Sequence, residues 1–343
     1  MRVALDVRVR EGKYSSFVRV TELLEEAAAA VGLELELWNG GALHSEVLWN
    51  PLMEPAPVPS DVHQVVTVHD CSPLLEDPRP RLERWRRARR FRRKFGKAAA
   101  AATAFSTVSE HVADLIATEF PGLKVPATVV PHYPAASFRP PEQGSDTPDS
   151  EATEVLQQYD LEPGFVLFVA ALRRHKNWEG AVEAWSRLPE DLRAKAPLVL
   201  AGGKGRGEAR LRRMLTRLGI ASSVHILDAV DDRVLRALYR HCGVMVFPSF
   251  NEGFGLPPLE AMACGAPVVA SDCTAMPEVL GEAALAIDPW SVQAITDGIH
   301  TVLTDPGQAQ ARRLASLERA ASFGPVRTGE AMRRLLDALP ARG

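Results

Sequence analysis

The sequence predicts an α/β protein of two domains, each built on a parallel sheet. Three observations carry this. Short apolar runs alternate with helical stretches along the chain. The alternation comes as two series, separated by the polar, turn-forming stretch 139–150. At 343 residues and 46% hydrophobic, the chain is long enough to fill two cores.

In the first series strands are expected over residues 3–7, 33–37, 65–68, 104–108 and 127–130, with helices over 16–31, 81–102 and 110–118. The second series has strands over 165–170, 198–201, 224–227, 244–247, 268–270 and 284–287, with helices between them. The boundary is placed at residue 150, giving domains 1–150 and 151–324 and a terminal helix within 325–343. No internal repeat is visible.

Composition excludes several classes. Cys71, Cys242, Cys264 and Cys273 form no Cys-x-x-Cys pair, so reduced thiols are expected rather than a disulfide framework or a zinc site. No apolar run approaches the ~20 residues that span a bilayer, and the amino end reads as a strand rather than a signal peptide. A soluble, cytoplasmic protein is expected. The net charge of −3 says little by itself.

The chemistry concentrates in residues 248–271. An apolar strand ends at Pro248, Glu252 follows, and Gly253 and Gly255 supply a turn whose bare backbone lets a ligand approach. Pro257 or Pro258 suits the first position of a helix, Leu259, Met262 and Ala263 give it a buried face, and Gly265 stops it. Free amides and the dipole at that start favour phosphate oxygens, with Gly253, Phe254, Gly255 and Leu256 as the cradle. Glu260, expected in the first turn, suits a ribose diol. Glu252, one loop away, suits the group attached to the phosphate. Taken singly, Gly-x-Gly is an ordinary turn and a first-turn Glu an ordinary partner of the dipole; the joint pattern carries the reading.

With these residues the chain resembles a retaining glycosyltransferase of the GT-B fold, most similar to glycosyltransferase family 4, also called group 1. The resemblance extends to Pro277-Glu278-Val279, Ala283-Ala284, Asp288-Pro289, residues 230–239, Lys176-Asn177 and Gly202-Gly203-Lys204-Gly205, and more thinly to Val68-His69-Asp70 and Thr107-Val108-Ser109. It implies two Rossmann-like domains with parallel sheets facing a central cleft, the first for the acceptor and the second for the nucleotide sugar. The last helix, over 325–339, is implied to cross back to the first domain. The implied reaction moves a hexose from a nucleoside diphosphate sugar to a hydroxyl acceptor, a glycan, a lipid-linked sugar or a small molecule, with retention and no cofactor.

The leaving diphosphate gains negative charge, and stabilising it is the main electrostatic task. The sequence has no Asp-x-Asp, so no metal is expected and a basic clamp is. Lys176 is the choice, because parallel sheets bind ligands beyond the carboxyl ends of their strands. Where the family places Gly-Arg-Leu, this chain has Ala170-Ala171-Leu172, so Arg173 or Arg174 is expected to reach the phosphate instead, Arg173 being the choice; Asp228 stands where a glycine is common, near the implied base pocket. The Gly202–Gly207 loop after the strand at 198–201 reads by itself as a plain strand-to-helix turn; the resemblance implies that it lies by the donor, which makes Lys204 a secondary phosphate candidate. His69 and Asp70 close a strand on the acceptor side, joined there by Gly12. The resemblance implies a front-face mechanism in which the leaving phosphate helps deprotonate the incoming hydroxyl, with Glu252 orienting the donor sugar. Two other classes stay open: a non-catalytic sugar-nucleotide or glycan binder on the same scaffold, and a nicotinamide-dependent oxidoreductase suggested by the Gly202 turn; a nucleotide-sugar epimerase is a further enzyme outcome.

Residues 79–97 carry eleven Arg or Lys against one Glu, with Trp85, Phe91 and Phe95 interspersed. Such a helix suits an anionic membrane surface at about 1 kcal/mol per basic residue, or an anionic, lipid-linked acceptor, through Arg86, Arg87, Arg90, Arg93 and Lys94. The alternative is a solvated helix whose aromatics pack inward. No nucleic-acid recognition motif accompanies the charge. A peripheral position at the inner face of the membrane follows from the first reading.

Overall fold

The structure, a computed structural model, describes residues 2–11, 15–141, 150–202 and 207–340. Gly12 and Lys204, and most of the stretch 139–150, lie outside the described residues. The chain divides into two compact units, one of residues 1–133 and 323–343, the other of 134–322.

The first unit holds a parallel sheet of six strands: β1 (Val3–Asp6), β2 (Leu35–Trp38), β3 (Val47–Asn50), β4 (His63–Val68), β5 (Ala104–Thr107) and β6 (Ala127–Val129), in the order β2-β1-β3-β4-β5-β6. Its helices are α1 (Ser15–Ala30), α2 (Arg81–Ala101) and α3 (Glu110–Glu119). Strand β3 has no counterpart among the expected elements, yet it is fully buried and sits between β1 and β4. Trp49 on it is wholly enclosed and donates its indole N–H to Thr67 Oγ1 at 3.0 Å. Asn50, also fully enclosed, accepts at Oδ1 from Ala56 N at 3.3 Å, which ties down the loop that leaves the strand.

The second unit opens with α4 (Ser150–Gln158) and holds β7 (Val166–Val169), β8 (Leu198–Ala201), β9 (Val224–Leu227), β10 (Val244–Phe247), β11 (Val268–Ser271) and β12 (Leu285–Ile287), in the order β12-β11-β10-β7-β8-β9. Between these run α5 (Trp178–Ser186), α6 (Glu190–Lys195), α7 (Glu208–Leu218), α8 (Asp232–His241), α9 (Leu256–Ala263) and α10 (Met276–Leu280), followed by α11 (Val292–Thr304) and α12 (Pro306–Ala321). The inner strands β7, β8, β10 and β11 are buried throughout, which is why they read as unbroken apolar runs. Val166, Phe168, Val246, Trp178, Trp185 and Ile299 belong to one core cluster, and the Trp185 indole donates to Ala196 O at 2.9 Å.

In both sheets the strand order reverses once beside the first strand of the unit, between β1 and β3 and between β7 and β10. Such reversals leave a crevice beyond the carboxyl ends of the two strands, where open α/β sheets take their ligands. The closing helix α13 (Pro325–Asp337) packs on α1 in the first unit. Gly329 makes the approach: a Cβ there would lie 2.2 Å from Ala27 O.

Candidate functional site

The reversal between β7 and β10 is where the residues singled out by sequence come together. The loop after β7 passes through a short 3-10 turn, Arg174–Lys176, and ends at Asn177, whose φ of 52° is left-handed. Asparagine tolerates that region better than most residues. Its side chain fixes the corner, accepting from Gly180 N at 3.2 Å and donating to Pro289 O at 2.7 Å. The loop after β10 is fixed at several points. Phe250 N donates to His175 O at 2.8 Å, Ser271 Oγ donates to Ser249 O at 2.6 Å, and Glu252 N donates to Thr274 Oγ1 at 3.2 Å. Thr274 also has a positive φ, 56°, an outlier for a β-branched residue.

Across the reversal, Lys176 Nζ donates to both carboxylate oxygens of Glu252, at 2.7 and 2.9 Å. The side chains are 20% and 10% exposed, so the pair stands at the rim of the crevice, partly screened from water. Lys176 also lies 5.5 Å from the centre of the Phe247 ring. Sequence reasoning gave the lysine to a diphosphate and the glutamate to a sugar; the structure brings them into direct contact.

Helix α9 begins one residue earlier than the prolines suggest. Gly255, with φ 91° and ψ 51°, is the N-cap, so Leu256 takes the first position and Pro257 and Pro258 the next two. Two corrections follow. Glu260 lies in the second turn, not the first; it is 2% exposed and accepts from Tyr239 Oη at 3.3 Å. The amides at the helix start are also fewer than expected, because neither proline has an N–H and Leu259 N is bonded to Gly255 O. The N–H groups of Gly255 and Leu256 have no acceptor among the described residues.

Arg173 is exposed and its side chain makes no ion pair among the described residues. Cys273 borders the Glu252 loop, but burial pushes its thiol up to about 11, so it stays protonated and is no nucleophile near neutrality. Among the described residues no group of three His, Cys, Asp or Glu stands together as a metal site.

In the first unit, His69 and Asp70 do not pair. Asp70 Oδ1 accepts from Ser72 N and Ser72 Oγ at 2.9 and 2.7 Å. His69 Nε2 is 2.6 Å from Pro51 O, so that nitrogen carries the proton, and His132 Nε2 donates to His69 Nδ1 at 3.3 Å. Burial holds both imidazoles below their ordinary range, His132 down to about 3. His132 has no spacing signal that joins it to His69; only the fold does.

On α2, Phe91 and Phe95 turn inward and Phe95 stacks on Phe105 and Phe120, whereas Leu82 and Trp85 are more than half exposed. Arg87 pairs with Asp77 at 3.2 Å and Lys94 with Glu54 at 2.8 Å. Arg86, Arg90 and Arg93 are exposed, with no ion pair among the described residues. Among the described residues no helix is long and apolar enough to cross a membrane.

Comparison with known proteins gives a consistent picture. Residues 152–319 match the family model described as glycosyl transferases group 1. An O-antigen chain mannosyltransferase B of Escherichia coli is 38% identical over 175 residues, 51% of this chain and 46% of that protein. A D-inositol 3-phosphate glycosyltransferase of Xylanimonas cellulosilytica is 30% identical over 221 residues, 63% of this chain and 52% of that one. The chain thus spans about half the length of these curated relatives. Among solved structures, a sucrose-phosphate synthase from Thermosynechococcus elongatus superposes with TM-score 0.74 at 17% identity, covering 98% of this chain and 100% of that one. Anabaena Alr3699/HepE in complex with UDP and glucose gives 0.72 at 15%, covering 99% and 100%. At such identities the likeness is one of fold, and the fold is GT-B.

Proposed function

We propose, for a chain that belongs through residues 152–319 to the group 1 glycosyl transferases, that it moves a hexose from a nucleoside diphosphate sugar to a hydroxyl acceptor with retention at the anomeric carbon, as in glycosyltransferase family 4. The observation that carries this reading is the Lys176–Glu252 pair at the strand-order reversal, beside the open amides of Gly255 and Leu256. A cation, a carboxylate and bare N–H groups at one crevice match the parts of a sugar diphosphate.

The diphosphate draws Lys176 Nζ, with Arg173 and the Gly253–Leu256 backbone supplying the remaining donors. Lys204, which follows β8 in the sequence, is a further phosphate donor in this reading. Freed from the lysine, Glu252 accepts hydroxyls of the hexose and favours positive charge at its anomeric carbon. Glu260, held by Tyr239, receives the ribose diol. The bond from the anomeric carbon to the diphosphate oxygen breaks, the bond to the acceptor oxygen forms on the same face, and the acceptor proton passes to the departing diphosphate. No metal takes part in this scheme. The names of the mannosyltransferase relatives support mannose as the hexose, and the UDP complexes among the structural neighbours support a nucleoside diphosphate. The acceptor belongs to the first unit, with His69 held by Pro51 and His132 and with Asp70 next to it in the chain. The outward face of α2, with Arg86, Arg90, Arg93, Leu82 and Trp85, rests on an anionic membrane surface.

A thermal-shift panel of UDP, GDP, ADP and dTDP tests the donor reading, because a ligand at about 100 times its dissociation constant stabilises by ~2.7 kcal/mol. Glu260→Ala weakens nucleotide affinity, and Glu252→Ala lowers turnover with nucleotide affinity kept. Stabilisation by none of the four, or equal affinity in Glu260→Ala and wild type, overturns the corresponding assignment. Membrane docking is read by sedimentation with anionic against neutral vesicles; equal binding to both rejects it.

A further inference from the structure

The first unit repeats the arrangement that marks the donor crevice, and the repeat carries a second cavity. Between β1 and β3, where its strand order reverses, the segments leaving the two carboxyl ends enclose about 420 Å³, within the usual range of small-molecule sites. Asp6 is the last residue of β1 and Arg8 and Val9 follow it, while Pro51, Leu52, Glu54 and Pro55 come from the segment after β3.

Three features define what this cavity accepts. The first is fixed charge. The Arg8 guanidinium donates through Nε and Nη2 to the two oxygens of Asp6, at 2.9 and 2.6 Å, and its carbon lies 4.7 Å from the centre of the Trp38 ring. Its forked edge is spent on a carboxylate that is itself 9% exposed, so the one cation among the described lining residues is already neutralised. Glu54 adds a further carboxylate, paired only at the surface with Lys94. The second feature is the apolar wall of Val9, Pro51, Leu52 and Pro55. The third is rigidity: Asn50 holds the loop at Ala56, and His69 Nε2 holds Pro51 O, which also sets the imidazole beside the rim.

We infer that this cavity is the acceptor subsite and that it takes an uncharged pyranose, the end of a neutral glycan, rather than a phosphate-bearing acceptor. A pyranose offers hydroxyls to carboxylates and a C–H face to prolines and leucine, whereas a phosphate meets two carboxylates and a guanidinium already engaged. The inference rests on the transferase reading for its use of the word acceptor; the cavity and its charge stand independently.

The test is a saturation-transfer NMR titration of the full chain, with the stabilising nucleoside diphosphate present. The probes are methyl α-D-mannopyranoside and mannose 6-phosphate. Saturable binding of the glycoside is expected, with the phosphate weaker by about tenfold or more. Leu52→Trp fills the cavity and abolishes glycoside binding, while its melting temperature and nucleotide-induced shift match wild type. Should that variant not fold, Glu54→Lys serves: a cation at the rim reverses the preference towards the phosphate. Absence of saturable glycoside binding, equal or tighter binding of the phosphate, or unchanged binding in Leu52→Trp or Glu54→Lys overturns the inference. Failure of the nucleotide panel speaks instead against the donor reading, so the two are separable.

Discussion

Lys176→Ala tests the proposed donor crevice most directly, because it acts on stability and on chemistry by separate routes. The substitution removes two charge-assisted hydrogen bonds of 2.7 and 2.9 Å and leaves a glutamate that is 10% exposed without its counter-charge. Breaking a fully buried pair costs about 3–5 kcal/mol, and an exposed pair contributes under about 1 kcal/mol. With Lys176 20% exposed, this pair falls between those limits, at about 2 kcal/mol. For a unit of this size the melting temperature then drops by about 4–8 °C. Turnover falls separately, by about 10²- to 10³-fold, through the lost donor to the leaving diphosphate. Calorimetric melting and single-turnover nucleotide release read the two effects. The double variant Lys176→Ala/Glu252→Gln recovers much of the melting temperature, since no unpaired charge remains, and none of the rate. An unchanged melting temperature in Lys176→Ala, or a rate within about threefold of wild type, refutes the reasoning.

Thr274→Val keeps the β-branch but removes the oxygen that accepts Glu252 N–H, and is expected to lower kcat by about tenfold with little change in nucleotide affinity; Thr274→Ser restores the rate, and a rate loss shared by the serine variant defeats the role. Gly329→Ala forces a methyl group to 2.2 Å from Ala27 O and should cost about 2 kcal/mol or more in urea unfolding of the first unit, whereas α13 loosely placed would absorb it. His132 is neutral when folded down to about pH 3 and takes a proton below about 6.5 when unfolded, so the unfolded state binds more protons in that window. Stability of the first unit therefore falls as pH is lowered from about 6.5 towards 4, by about 3 kcal/mol, and His132→Gln flattens that slope in urea midpoints; equal slopes would show that the group is not buried neutral.

Much of the second unit was legible in sequence because its inner strands are buried on both faces and its turns are punctuated by Gly and Pro. The first unit was less so. Strand β3 offers only Val47, Leu48 and Trp49 as an apolar run before Asn50, too short to separate from a loop, although its Asn is held by contacts from β4. Missing that strand hid the reversal between β1 and β3, and with it the cavity that Asp6 and Glu54 line. Glu260 was found, but its place in the helix depended on Gly255 adopting a left-handed cap, which the adjacent prolines disguised. The link from His69 to His132 joins residues far apart in the chain, and no local pattern encodes it.

The attachment of α13 to α1 sets an order for synthesis. Residues of the first unit up to 133 are made before residues 134–322, which emerge from the ribosome with all the strands of their own sheet, and the helix that completes the first unit is made after them. Nascent chains arrested near residue 322 should already resist protease across the second unit and remain cuttable around Ala27, where the packing surface still lacks its cover.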